Sequence, residues 1–421
     1  MILAALAGVL AANATLLAQA EPESALDEVH SAYNGQEDSA VAPVNYFQEE
    51  EGMGGTGGMT QPPAQARSRS PVRRGPSSQQ ANYRLASVPN MFGDFFFPTG
   101  SVRIISLDGS NFETGQGSFT LPAAGGSRRV KISENNKALP DDRIYFMYNH
   151  FHNALTFQQQ SLAPPGPFVS HQQSVDRYTA GIEKMFWDDL WSVEVRMPLT
   201  GNIDYSTPQL GVQGGNVGNL AVILKNLLYT SENCAVAAGL GLDIPTGSDV
   251  DAQYGDVNLN FQNDAFHLLP YIGLIHTHQD TLFLTAFAQV DLATSGNEVL
   301  LNNESLGYFT EQNLLYLDLA VGSFLFNDPT ARRLTSVAVS GEVHYTSTMQ
   351  DTDVIAASDL FNAMRITNPY NRQDIVNGTV AVQFAIANTT NFRVAGVFPL
   401  GSDIDQRYFD SELQFQVNRR F

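Results

Sequence analysis

Twelve charged residues in the C-terminal two-thirds of this chain fall on every-second positions of apolar–polar segments: Arg143, Arg177, Glu183, Glu194, Arg196, Lys225, Asp243, Asp291, Asp318, Glu342, Arg393 and Glu412. Rows of acid and base facing one another across a narrow space set a transverse field and sort solutes by charge. The same charges, ion-paired, are filler that keeps a narrow barrel from collapsing; at about twelve strands, filler with weak filtering is the favoured role. Histidines come as His150-Phe151-His152 and His276-Thr277-His278. A spacing of two puts each pair on one strand face, as a metal site would use. The two pairs belong to opposite ends of their spans, however, so no metal is assigned and an interfacial role is expected. Asp249, Asp251 and Asp256, and Asp351, Asp353 and Asp359, are oxygen-rich sets without the full EF-hand spacing, and solvated acidic loops are favoured over Ca²⁺ sites. His344 shares a strand face with Ser336 and Ser340, the one hydrolase-like arrangement. The chain has no G-x-S-x-G elbow, phosphate loop, H-E-x-x-H or cysteine cluster. No catalytic residue and no cofactor are assigned.

The elements that must position these charges are strands. Twelve candidates read as 143–153, 175–186, 190–199, 218–230, 233–245, 264–276, 279–292, 312–326, 334–347, 376–388, 391–400 and 408–421. Many run to ~9–14 residues, where soluble strands average ~5–6 and a tilted membrane strand needs ~9–11. In the last, Phe409, Leu413, Phe415, Val417 and Phe421 share one face, and Asp410, Glu412, Gln414, Gln416 and Asn418 the other. The segments between 175 and 199 alternate likewise, with Tyr178, Ile182, Val193 and Val195 opposing Arg177, Glu183, Glu194 and Arg196. Segment 264–276 is ambiguous, apolar on both faces. Links alternate in length: 187–189, 231–232, 277–278, 327–333 and 389–390 are short, while 154–174, 200–217, 246–263, 293–311, 348–375 and 401–407 are longer. Membrane barrels sort their connections this way, with short turns inside and long loops outside. A sheet in lipid must have no free edge, so the first span (Ile144, Phe146, Tyr148) is expected to pair with the last (Leu413, Phe415, Val417). Pro198, Pro245 and Pro399 follow the apolar part of three outward spans, as expected at an outer rim.

Charged residues are only 16% of the chain and hydrophobic residues 43%, with Gly 34, Phe 26 and Tyr 15. That suits a membrane barrel or a secreted all-β protein. Beyond the N-terminus no apolar run is long enough for a helical span. A net charge of -20 argues against nucleic acid as a partner, and the single cysteine, Cys234, excludes an internal disulfide framework.

Residues 1–20 read as a secretion signal. Ile2 to Ala12 is apolar, and Ala18-Gln19-Ala20 offers a cleavage site after Ala20, although the start lacks Lys or Arg. Residues 21–83 read as a low-complexity linker too poor in apolar surface to fold. Its basic run from Arg67 to Arg74 reads as solvated charge, with contact to peptidoglycan or acidic surfaces as the alternative. Residues 84–141 hold the apolar stretch Met91-Phe92-Gly93-Asp94-Phe95-Phe96-Phe97 and short β-like pieces (Val102 to Leu107, Ser118 to Leu121, Arg129 to Ser133), expected to be a lumen plug or a periplasmic cap. Residues 142–421 are the expected barrel.

Asp142-Arg143-Ile144-Tyr145-Phe146, Leu228-Tyr229, Gly239-Leu240-Gly241 with Ile244-Pro245-Thr246-Gly247, and the terminal Gln414-Phe415-Gln416-Val417-Asn418-Arg419-Arg420-Phe421 resemble a group of planctomycete outer-membrane proteins. These are similar to the barrel family named for the MetA pathway of phenol degradation. The resemblance covers about 140 to 421. It implies a monomeric barrel near twelve strands that takes up small solutes, apolar or aromatic molecules among them. Leu413, Phe415, Val417 and Phe421 also resemble the C-terminal signal read by the barrel assembly machinery; Arg419 departs from it, at a depth where a long side chain reaches headgroups.

The expected fold is thus an all-β, antiparallel up-and-down transmembrane barrel in the outer membrane, contacting lipid. The expected function is passive passage of small-molecule solutes. A structural barrel tethered to the cell wall through the leader, and a secreted soluble β-sandwich, are the alternatives.

Overall fold

The computed structural model describes residues 85–94, 96, 98, 100–107, 113–121, 129–162, 165–279, 281–358, 362–369, 371–401 and 407–421. The signal segment with Ala18 and Ala20, the leader 21–83 and Asp359 lie outside them.

Period-two alternation builds twelve barrel strands: β1 (Arg143–Leu162), β2 (Pro165–Phe186), β3 (Trp191–Gly201), β4 (Leu220–Thr230), β5 (Cys234–Ile244), β6 (His267–His278), β7 (Leu282–Ala293), β8 (Leu314–Asn327), β9 (Leu334–Thr348), β10 (Asp374–Ile386), β11 (Thr390–Pro399) and β12 (Ser411–Arg420). Each pairs antiparallel with the next, and β12 returns to β1 with Phe415 opposite Tyr148 and Val417 opposite Phe146. The cylinder is closed, so no strand edge faces lipid. This disposes of the sandwich alternative. Along β3 burial alternates strictly, with Ser192, Glu194 and Arg196 buried and Val193, Val195 and Met197 on the other face. Large apolar side chains stand outside: Phe146 is 48% exposed and Val380 70%. A belt of that kind is stable only against acyl chains. At the closure seam Phe146, Tyr178, Tyr148 and Phe415 form a ladder of rings with neighbouring centroids 5.2–6.4 Å apart.

One end of the barrel carries turns of three to six residues, and both the start of β1 and the end of β12 lie there. Asp188, Asp189 and Asn388 take left-handed conformations (φ 56°, 63° and 59°), which such tight reversals require and which Asp and Asn tolerate. Trp187, Trp191 and Phe186 cluster at this end, an aromatic anchor at the headgroup level. In the turn after β8, the Thr330 hydroxyl and backbone N–H hold the Asp328 carboxyl below its usual range.

The other end is more ordered than its loop-like sequence suggests. Connections 202–219, 245–266 and 294–313 contribute a six-stranded sheet made of Tyr205–Ser206, Leu210–Gln213, Val250–Tyr254, Val257–Phe261, Asn297–Leu301 and Glu304–Phe309. The strand Glu113–Leu121 adds to the protruding part of β1, followed by Gly100–Leu107, Asn362–Thr367 and Val354–Ser358. Between these two layers lies an apolar core that includes Val102, Ile104, Phe119, Phe157, Val212, Leu259 and Phe261. The outer loops read from the sequence are therefore hairpins: Val250-Ala252-Tyr254 and Val257-Leu259-Phe261 do alternate, in stretches too short to span a bilayer. β1 and β2 likewise run on beyond the expected 153 and 175. Phe409, read as an outward residue of the last strand, precedes it and is buried in the cap core. Arg129 to Ser133, read as β-like, forms no strand.

Candidate functional site: a filled, charged lumen

Two stretches of chain from before the barrel lie inside it. Leu85, Val88 and Ala138 pack on Ala235, Ile275, Phe283 and Ala338 near the short-turn end. Met91, Val130 and Ile132 pack on Ile223, Leu269, Tyr271 and Phe287 midway. Phe96 reaches Phe151 near the cap, ring centroids 5.0 Å apart. The two stretches also bond to each other, Met91 N–H donating to the Asn136 carbonyl at 2.8 Å. Chain thus rises from the short-turn end through residues 85–94, forms the outer strands Gly100–Leu107 and Glu113–Leu121, and returns through residues 129–141 to begin β1. This explains the ambiguity of segment 264–276: Leu269, Tyr271 and Ile275 of β6 face inward, onto apolar side chains of this inner segment rather than onto water.

All twelve charged residues singled out in the sequence are buried on the inner face. They divide by position. Arg393, Arg143, Arg177, Arg196 and Lys225 occupy β11, β1, β2, β3 and β4, one arc of the barrel interrupted only by β12. Asp243, Asp291, Asp318 and Glu342 occupy the opposite arc, β5 to β9. The basic arc is largely answered from within the wall. Glu183 accepts from Arg143 and Lys225, both at 2.8 Å, and Glu194 from Arg196 and Tyr145, both at 2.5 Å. Glu412 accepts from Asn149 at 2.7 Å.

The acidic arc is answered by the inner segment. Arg129 reaches Glu311 at 3.0 Å and Asp291 at 3.6 Å; Lys131 reaches Asp318 at 2.7 Å and its own segment's Asp94 at 2.5 Å. Phe92 and Gly93 N–H groups donate to Glu342 at 3.0–3.3 Å. Gly93 has φ +88°, and a Cβ there would press on Glu134; glycine lets consecutive amides cup the carboxylate. In the other direction Glu134 pairs with Arg177, and Asn135 accepts from Arg143 and Arg393. Asp243 sits buried opposite His267, which bonds Asp291 at 2.6 Å.

Asp94, Asp318 and His344 lie close enough together to hold a metal ion. The position between the two carboxylates is taken by the Lys131 ammonium, a cation supplied by the chain itself. His344 is engaged with Asp318 at 2.9 Å and not with Ser336 or Ser340. His150 bonds Asp176 at 2.8 Å and His152 bonds Ser174 at 3.2 Å; His276 and His278 are exposed near the short-turn end of β6. Asp249 and Asp353 accept backbone N–H bonds from Asn263 and Thr310. Asp251 bonds Asn260, and Asp351 pairs with Arg372, whose pKa it raises. Pro399 ends β11, Pro198 lies three residues before the end of β3, and Pro245 comes just past β5.

Sequence reasoning missed Asp94, Lys131, Glu134 and Glu311, because they lie on segments without strand periodicity. Their one signal was charge inside an otherwise apolar or Gly/Pro-broken stretch.

No known family matches the chain, and no curated protein does. Among solved structures it is similar to the COG4313 outer membrane channel from Pseudomonas putida F1 (12% identity, TM-score 0.40, 68% of this chain and 97% of that one). It is similar also to the Pseudomonas putida toluene transporter TodX (10%, 0.36, 70% and 96%) and to the KdgM porin (8%, 0.31, 66% and 99%). Likeness at this level adds nothing to a cylinder that the hydrogen-bond ladder closes by itself. On its own geometry the chain is a twelve-stranded antiparallel β-barrel of the outer-membrane type, with a charged and occupied lumen.

Proposed function

We propose that the protein is an outer-membrane channel for passive passage of small polar solutes, held shut by its own residues 85–94 and 129–141. The observation that carries this reading is the cross-lumen charge pairing: Arg129 and Lys131 cover the acidic arc while Glu134 covers Arg177. A barrel whose only task was structural would gain as much from an apolar filling, since buried ion pairs repay their desolvation poorly. Displacing the segment exposes Asp291, Asp318 and Glu342 to water, a surface that attracts cations. The buried charges of the inner wall favour polar solutes over the apolar or aromatic ones that the phenol-pathway resemblance implies, although Ile223, Leu269, Tyr271 and Phe287 form an apolar patch under the inner segment; that kinship and a planctomycete origin belong to the same proposal.

In this reading the signal is cleaved after Ala20, and Leu413, Phe415, Val417 and Phe421 present the C-terminal strand to the barrel assembly machinery. Planar-bilayer recording tests the channel. Full-length protein should show rare, brief openings, and a variant lacking residues 85–141 should conduct steadily with preference for cations. A shortened barrel that folds, shown by its heat-shifted gel mobility, yet stays silent would overturn the reading.

A second role is supported by the position of Leu85 at the short-turn end. In it, residues 21–83, with their basic run, tether the barrel to peptidoglycan. Deleting them should release the protein from sedimented cell wall and leave conductance unchanged; a changed conductance would make the leader part of the gate instead.

A further inference from the structure

Near the outer rim, β1 changes neighbours. Up to His152 it pairs with β12, and from Phe157 it pairs with the strand Glu113–Leu121. Between them the chain bulges, three residues of β1 answering one of β2, with Asn153 at φ 56°. The gap opens into a cavity of about 410 Å³. Its wall is a ladder of neutral hydrogen-bonding groups, Thr156 opposite Gln172 and Gln158 opposite Ser170. Gln158, Ser170 and Gln172 are exposed, and their side chains take no partner among the described residues. The nearby charges cancel: Arg407 pairs with Asp410 at 3.3 Å, and Asp410 also accepts from Asn153 at 2.7 Å. Tyr408 and Phe409 line the cavity too, and the same two rings line a small void beyond it that touches Asp94 and Asn377. Asp94 is the partner of Lys131.

We infer that this cavity is the capture site for the channel's solute, and that it takes neutral, hydroxyl-rich molecules of carbohydrate type. Three features select that class. Amide and hydroxyl side chains at strand spacing both donate and accept, as vicinal diols do. The site carries no uncompensated charge for an ion. Its apolar lining is too scattered for a hydrocarbon, while Tyr408 offers a ring edge at the inner end. The volume suits one or two sugar rings. Because Tyr408 and Phe409 separate the site from Asp94, an occupant abuts the closing segment where Lys131 fastens it.

The inference rests on the channel reading, and binding can be measured apart from it. Full-length protein in detergent is titrated with sucrose, glucose 6-phosphate and benzoate, followed by ligand-observed NMR. Sucrose should bind best. The Gln158→Ala/Gln172→Ala variant should weaken it roughly fivefold or more, the scale of losing two neutral hydrogen bonds. Ser170→Trp, which fills the cavity, should abolish it; the heat-shifted gel band verifies that both variants are folded. Benzoate binding in preference to sucrose, no binding by any probe, or sucrose binding indifferent to all three substitutions would overturn the assignment. Sucrose binding by a barrel that never conducts would instead remove the channel and leave the site.

Discussion

At the scale of residues, the lumen depends on charges that cannot be left alone. Lys131 and Asp318 are both wholly buried, 2.7 Å apart. Replacing one strands the other in a water-poor interior, at a cost of about 3–5 kcal/mol. Lys131→Met should therefore lower stability by that order in urea titrations of the detergent-bound barrel, followed by Trp187 and Trp191 emission. The same variant should raise open probability in bilayers. The triple change Lys131→Met/Asp318→Leu/Asp94→Leu should recover stability, since both carboxylates that Lys131 answers are then gone, and should keep the raised conductance because the latch is still absent. Equal loss of stability in single and triple variants would show that the cluster is no latch.

At the scale of elements, the inner face is built from glycines covered by rings. Tyr145 lies directly opposite Gly181, and a Cβ at Gly181 would collide with that ring. Phe283 covers Gly322 and Phe287 covers Gly273 in the same way. Such pairs let bulky rings lie flat against the wall while keeping the register fixed. Gly181→Val should push Tyr145 away from Glu194, destabilising the barrel by about 1–3 kcal/mol through overpacking. Gly211→Val in the outer sheet meets nothing within 4 Å and should be nearly silent. Equal effects of the two in the same urea titration would contradict this account. The alternation that the glycines interrupt was still legible in sequence, because Arg, Glu and Asp kept marking the inner face. The outer hairpins were not legible: Leu210–Gln213 and Val250–Tyr254 are four and five residues long, and each has one of its two partners in another loop.

For the molecule as a whole, the chain crosses the membrane level twice within the lumen before it begins the wall. The strands Gly100–Leu107 and Glu113–Leu121 consequently sit at the end of the barrel away from the short turns, although Leu85 and Ala138 pack near the short-turn end; in the proposed channel that far end is the cell exterior. A cysteine placed at Arg103, in a Cys234→Ser background, should react on intact cells with a membrane-impermeant maleimide, whereas one at Lys184 should not. Arg103 is exposed on the outer hairpin, and Lys184 lies beside Phe421 at the other end. The reverse labelling pattern would invert the topology.

What the sequence determined by itself was the wall. Lipid on one side and polar groups on the other impose a period of two. Short and long connections sort by side, and closure follows because lipid offers no partner for a free edge. Those are local or one-dimensional constraints, readable at each residue. Only the tertiary structure decided what the wall encloses. Asp94, Lys131 and Glu134 have no periodicity, and their partners lie far away in sequence, Glu134 with Arg177 and Lys131 with Asp318. Whether a charge faces water or another charge depends on which segment fills the space opposite, and nothing in a strand's own pattern records that.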